Sequence, residues 1–182
     1  MAEGMGPEAV VRMLREYHER MTAPIFACGG TIYKYIGDEI FAVFSVPLAS
    51  PDDAANALRC ADMMLAALEC WNVERRARGE RHLAIGIGLN YGPAVLGDVG
   101  SEHSFSFTVI GDTVNTASRL QRLTRNLQTP LVVGYPVIAA ANSATGEIAE
   151  IVARLEDRGE QPLRGRNEPV RIWARPERSV EE

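Results

Sequence analysis

An α+β domain with a mainly antiparallel sheet is the fold class the sequence predicts, and three observations predict it. Apolar residues recur at helical steps in some stretches and alternate in others, so helices and strands intermix along the chain. Gly37-Asp38 and Tyr91-Gly92-Pro93 each interrupt strand-like runs and mark two hairpins. The 182 residues are 46% hydrophobic and 24% charged, an ordinary globular composition for one domain spanning 1–182, with its core over about 6–175.

Gly6-Pro7 opens a first helix, with proline in the first turn and Glu8 favourable to the helix dipole. Val10, Leu14, Tyr17 and Met21 give it one apolar face, and Pro24 and Gly29-Gly30 are expected to end it. Residues 31–36 and 39–44 are β-branched and aromatic, and Gly37-Asp38 joins them as a hairpin. Ser50 is the expected N-cap of a second helix, followed by Pro51 at its first position and by Asp52 and Asp53. Leu58, Ala61, Leu65 and Leu68 share one face of it, and Gly79 marks its end.

Residues 83–90 alternate as a strand, and 94–99 can return antiparallel after the Tyr91-Gly92-Pro93 turn. A strand is expected over 104–110, leading through Gly111-Asp112-Thr113 into a helix over about 114–127, with Asp112 or Thr113 as its N-cap. A short strand at 131–133, a short helix at 136–141 and a strand-rich tail over 152–173 complete the chain.

Net charge is −5 with no Lys/Arg-rich block, which argues against nucleic acid or an anionic membrane as partner. No apolar run approaches the ~20 residues of a membrane span, and residues 1–5 lack the features of a signal peptide. The three cysteines, Cys28, Cys60 and Cys70, read as reduced side chains of a cytoplasmic protein. His18, His82 and His103 share no metal-ligand spacing.

Two segments carry chemistry. In the first, Gly37-Asp38 sets a carboxylate at a hairpin tip, the oxygen ligand that a hard divalent cation takes beside phosphate; the plain alternative is an ordinary turn. In the second, a strand delivers Thr108, and the helix after Gly111 puts Asn115 and Arg119 four residues apart on one face. An amide and a guanidinium so placed suit a sugar and a polyphosphate, since arginine matches phosphate oxygens bidentately. The plain alternative is a capped surface helix.

Together these segments resemble the class III adenylate/guanylate cyclase catalytic domain, over residues 6–173. The matching pieces are G-G-T-I-Y-K-Y-I-G-D-E from Gly29, L-N-Y-G-P-A-V-L-G-D-V-G from Leu89, T-V-I-G-D-T-V-N-T-A-S-R-L from Thr108 and L-R-G-R-N from Leu163, in family order and spacing. The resemblance implies a ferredoxin-like (βαββαβ) fold with a mainly antiparallel sheet, its first strand absent. It implies conversion of ATP to 3′,5′-cyclic AMP and pyrophosphate, with two Mg2+ or Mn2+ ions, in a head-to-tail homodimer.

By the same resemblance, Asp38 matches a metal-binding aspartate, Lys34 and Thr108 the pair that reads the purine, and Asn115 the asparagine that orients the ribose. Arg119 matches the arginine that stabilises transition-state charge, and Arg166, with Arg164 second, the basic residue on the terminal phosphates. Metal ligands come from one protomer, and the Lys, Thr, Asn and Arg from the other. Chemistry favours adenine: the Lys34 ammonium can donate to N1 and the Thr108 hydroxyl can accept from the 6-amino group, whereas guanine asks for an acidic acceptor.

The family's opening strand, with F-x-D and then F-T, has no counterpart in this sequence. Residues 1–5 read like the stretch after the F-T, Glu3 has no strand around it, and the expectation is a start roughly ten residues late and a chain of little or no activity. A non-catalytic nucleotide-binding or dimerisation module is the alternative. A diguanylate cyclase also carries a Gly-Asp/Glu hairpin, but the Asn115/Arg119 helix and the Lys34/Thr108 pair speak against it.

Overall fold

The computed structural model describes residues 6–98, 107–141, 146–166 and 168–176, with the backbone alone described at Asp98 and Phe107. Glu3, Val99, His103, residues 104–106 and Asn167, to which expectations attach, lie outside them. The chain divides into two compact units, Met1–Ile85 and Gly86–Glu182.

In the first unit, α1 (Pro7–Ala27) leads to the antiparallel hairpin β1 (Thr31–Ile36) and β2 (Glu39–Val43), and α2 (Asp53–Ala77) follows. α1 starts as expected, with Pro7 in its first turn and Gly6 as N-cap. It does not end at Pro24 but runs on through it to Ala27. Proline removes one N–H from the ladder, yet the Pro24 carbonyl accepts from Cys28 N at 3.0 Å and the Ile25 carbonyl from Gly30 N at 2.8 Å, which closes the last turn. Gly30 is required there, because a Cβ would stand 2.8 Å from the Ile25 side chain and the Phe44 ring.

The buried face of α1 is Met13, Tyr17, Met21 and Ile25, so Val10 and Leu14 sit beside the packed stripe instead of in it. Met13, Tyr17 and Met21 pack against Leu68, Trp71 and Leu83, and Trp71 is fully buried. The guanidinium groups of Arg20 and Arg75 lie 5.3 and 5.1 Å from the Trp71 ring. Arg75, itself buried, pairs with Glu80 at 2.7 Å. A second cluster joins Ile25, Cys28 and Cys60 to Ile32, Ile40, Ala42 and Phe44 of the hairpin segment.

The α2 N-cap is Asp52, not Ser50; Ser50 instead closes the approach, its N–H donating to the Asp53 carboxylate at 2.9 Å. The expected strand over 83–90 shrinks to three residues, and a side chain explains its missing half. Asn72 of α2 donates to the Leu83 carbonyl at 2.8 Å and accepts from the Leu83 N–H at 2.9 Å, satisfying the backbone that a strand would have paired.

The second unit holds β3 (Ile87–Leu89), β4 (Val95–Asp98), β5 (Phe107–Ile110), α3 (Asp112–Leu127), β6 (Leu131–Gly134), α4 (Tyr135–Ala141), α5 (Glu147–Ala153), β7 (Glu156–Gln161) and β8 (Val170–Ala174). A four-stranded sheet runs in the order β3-β6-β8-β7, with β3 parallel to β6 and the other pairs antiparallel. β4 does not return on β3; it pairs antiparallel with β5, from Val95↔Ile110 to Asp98↔Phe107. α3 covers the sheet through Leu120, which packs with Val132, Leu163, Ile172 and Ala174. Gly88 allows that approach, since a Cβ there would lie 2.5 Å from the Ala117 carbonyl oxygen. α5, whose Ile148 and Ile151 are buried, precedes the expected strand-rich tail and takes only its first two residues, 152 and 153. Among the described residues no helix is long and apolar enough to cross a membrane.

Candidate nucleotide site

Lys34 and Asp38 belong to the hairpin of the first unit. The β1–β2 register shifts between Ile32 and Lys34, and Lys34 pairs with Phe41 and is exposed. Gly37, at φ +63°, takes the first central position of the two-residue turn, where a positive φ favours glycine, and leaves Asp38 exposed at the tip. Aromatic rings tie the hairpin to α1: His18 lies 5.6 Å from Tyr17 and 4.6 Å from Tyr35, centroid to centroid. The Tyr17 phenol is pushed up to about 12, first by burial and then by the negative charge of Asp38. That burial and aromatic framing was not read from the sequence.

Thr108, Asn115, Arg119 and Arg166 belong to the second unit. Thr108 pairs with Gly97 in the β4–β5 hairpin and is half-buried. β5 feeds α3 through Gly111, the observed N-cap, whose extended backbone passes so close to Pro93 that a Cβ would stand 3.0 Å from its carbonyl oxygen. Thr113 locks the turn by donating to the Pro93 carbonyl at 2.8 Å, while Asn90 donates to the Thr113 carbonyl at 3.2 Å. The start of α3, and with it the direction of its side chains, is therefore held by polar contacts on both sides.

Asn115 is exposed and Arg119, one turn on, is half-buried. Arg119 Nη1 is a buried donor with no partner among the described residues, and Nη2 faces Gly165. Arg166 reaches α3 through its own Nη1, which donates to the Thr116 hydroxyl at 2.8 Å and pairs with the Asp112 carboxylate. Asn115, Arg119 and Arg166 thus gather on the first two turns of α3. Asp112, Thr116 and Gly165 join them unforeseen, although the four-residue step from Asp112 to Thr116 and the glycine between two arginines were signals for them.

The α3 cluster carries two guanidinium groups and one carboxylate, with one buried N–H lacking an acceptor among the described residues, a setting that suits an anion with several oxygens. On the hairpin, Asp38 suits one magnesium-type ion whose other ligands are substrate oxygens and water. Among the described residues no group of three His, Cys, Asp or Glu side chains is arranged to hold a metal by itself.

The chain matches the model of the adenylate and guanylate cyclase catalytic domain over residues 1–173. It is 37% identical over 139 residues to adenylate cyclase 1 of Rhizobium meliloti (strain 1021), covering 76% of this chain and 21% of that protein. It is 34% identical over 179 residues to an adenylate cyclase of Anabaena cylindrica, covering 95% of this chain and 33% of the relative. The chain therefore spans between a fifth and a third of the length of these two curated relatives. Among solved structures, the guanylyl cyclase Cya2 superposes with a TM-score of 0.78 at 32% identity, covering 95% of this chain and 83% of Cya2. The adenylyl cyclase CyaB from P. aeruginosa gives 0.76 at 23% identity, over 100% of this chain and 89% of that one, a likeness of fold.

Proposed function

The chain belongs to the adenylate and guanylate cyclase catalytic domain family, and we propose that its substrate is ATP, cyclised to 3′,5′-cyclic AMP with release of pyrophosphate. The match over residues 1–173 spans both units, which supports reading them as parts of one catalytic domain. The observation that carries the proposal is Arg119, a guanidinium with a buried Nη1 unpartnered among the described residues, on the same helix as Asn115 and facing Gly165 of the loop that carries Arg166. A polyphosphate supplies the acceptors this cluster lacks.

In the proposed reaction the ribose 3′-oxygen forms a bond to the α-phosphorus, the bond from that phosphorus to the pyrophosphate oxygen breaks, and the hydroxyl proton leaves to solvent. Arg119 stabilises the negative charge growing on the phosphoryl oxygens, a contribution of about 3–4 kcal/mol for a well-placed donor. Asn115 holds the ribose so that its 3′-oxygen lies in line. Arg166 binds the terminal phosphates. Asp38 would hold Mg2+ or Mn2+, which when bound neutralises phosphate charge and activates the 3′-hydroxyl.

Lys34 and Thr108 read the base. Lys34 donates to adenine N1 and Thr108 accepts from the 6-amino group, whereas guanine would leave donors facing a cation. The solved relatives include both adenylyl and guanylyl cyclases, so the preference for ATP rests on these two side chains. The proposed assembly is a head-to-tail homodimer, Asp38 from one copy meeting Lys34, Thr108, Asn115 and Arg119 from the other. The exposure of Lys34 and Asp38 supports it. Cys28, Cys60 and Cys70 are thiols, not disulfide partners, which fits the proposed cytoplasmic setting.

A non-catalytic nucleotide-binding module is the second reading, since the cluster of Asn115, Arg119 and Arg166 suits a polyphosphate whether or not a reaction follows. The deciding experiment follows cyclic AMP and pyrophosphate from Mn-ATP with the purified 182-residue protein, beside calorimetry with a non-hydrolysable ATP analogue. The expected result is cyclic AMP and pyrophosphate in equimolar amounts. Analogue binding with no product favours the module, and no binding of the analogue contradicts both readings.

A further inference from the structure

We propose that Asp112 and Thr116 are positioning residues for Arg166, anchoring one nitrogen of its guanidinium to α3 so that the remaining N–H edge is presented to a polyphosphate. The inference rests on the nucleotide reading above and adds to it two residues that neither touch the reacting atoms nor read the base.

Arg166 sits in the short segment between β7 and β8, after Gly165 with its φ of +77°. Its backbone is closed by a bond from Arg166 N to the Leu163 carbonyl at 3.0 Å, and Leu163 is buried in the sheet core. A long arginine side chain leaving such a turn is free to sample many rotamers unless something holds it. Both of its bonds to α3 use Nη1, leaving Nη2 and Nε outside them.

Thr116 is only 2% exposed, and a buried helical threonine ordinarily bonds back to a carbonyl of the preceding turn. Thr124 on the same helix does so, donating to the Gln121 carbonyl at 2.5 Å. Thr116 instead accepts from Arg166 at 2.8 Å. Asp112, one turn earlier, supplies the counter-charge. Arg119 faces Gly165, and Arg166 follows that glycine in the chain, so two guanidinium-bearing residues and one carboxylate meet here. The outcome is two guanidinium groups along the N-terminal half of α3, one anchored by Asp112 and Thr116 and the other with a buried N–H awaiting an acceptor.

The test is calorimetric titration of inorganic tripolyphosphate into the wild-type protein, D112A, T116V and T116S, alone and in an R166A background. Tripolyphosphate is expected to bind D112A and T116V about five- to tenfold more weakly than wild type. T116S, which restores the hydroxyl, is expected to stay within about twofold, and neither D112A nor T116V should weaken binding further once Arg166 is alanine. T116V keeps the buried volume, so a folding defect in D112A leaves the inference testable. Wild-type affinity in T116V and D112A, or an equal loss in the R166A background, overturns the inference while leaving the nucleotide reading intact. A wild-type protein that binds neither tripolyphosphate nor the ATP analogue overturns both.

Discussion

Gly165 lies against Arg119: a Cβ on the glycine would come within 3.3 Å of Nη2, at a backbone φ of +77°. Two constraints meet at that residue, a left-handed conformation that costs an L-residue about 1–2 kcal/mol and the space that a guanidinium occupies. The loop and the helix are fitted to each other at the middle of α3. A substitution there acts on Arg119 without touching it chemically.

Replacing Arg119 with alanine should lower kcat about 100- to 1000-fold while leaving affinity for a non-hydrolysable ATP analogue within a few-fold, because its contribution falls on the transition state. G165A should lower kcat about tenfold through displacement of the same guanidinium. Steady-state kinetics beside analogue titration separates the two effects. An R119A variant with wild-type kcat would remove Arg119 from the chemistry.

Base preference should follow Lys34. K34E places an acceptor where guanine presents donors, and one polar mismatch of about 1–3 kcal/mol in the bound complex corresponds to a roughly five- to 150-fold shift in the ATP-to-GTP ratio of kcat/KM. Measuring both substrates with wild type and K34E checks this. An unchanged ratio would place the purine elsewhere.

The local structure around the candidate residues was largely legible in the sequence because each piece is local, whereas their roles came from the family resemblance. The Gly37-Asp38 turn, the strand that carries Thr108 and the four-residue step from Asn115 to Arg119 follow from spacing alone. What was not legible depends on partners distant in the chain. The stretch from Leu83 to Ile85 alternates like a strand, but Asn72 takes the Leu83 backbone bonds. β4 could have folded back on β3; β3 pairs with β6 instead, and β4 with β5. Pro24 punctuates a helix in sequence, yet falls in a last turn that Cys28 and Gly30 close around it. The anchoring of Arg166 on Thr116 joins residues 50 positions apart.

Asn72 should be a stability determinant of the first unit. Both halves of its buried amide bond the Leu83 backbone, and N72A leaves a buried N–H and C=O without partners. The expected loss is about 2–4 kcal/mol in urea unfolding. A loss under about 0.5 kcal/mol would mean that water or a shifted backbone replaces the amide.

Alkaline pH should destabilise the fold through Tyr17. Its pKa is raised from 10.0 to about 12 by burial and by Asp38, so the unfolded chain releases this proton first. The stabilisation is complete below pH 10 and is lost as pH rises through 12, to the extent of about 2–3 kcal/mol. Burial, and then Cys28, raise the Cys60 thiol from 9.0 to about 12, which adds a loss of the same sign that begins nearer pH 9. Y17F should flatten the Tyr17 share, and urea unfolding of both proteins at pH 8 and pH 11 reads it. Parallel losses in wild type and Y17F would contradict the assignment.

The most direct test of a site assembled from two copies mixes two defective proteins, D38N and R119A, and counts cyclic AMP formed from radiolabelled Mn-ATP. In a two-fold dimer half of the re-paired molecules are mixed and each holds one intact site, so activity should return to about a quarter of the wild-type level. A mixture no more active than the two variants measured separately would contradict the shared site.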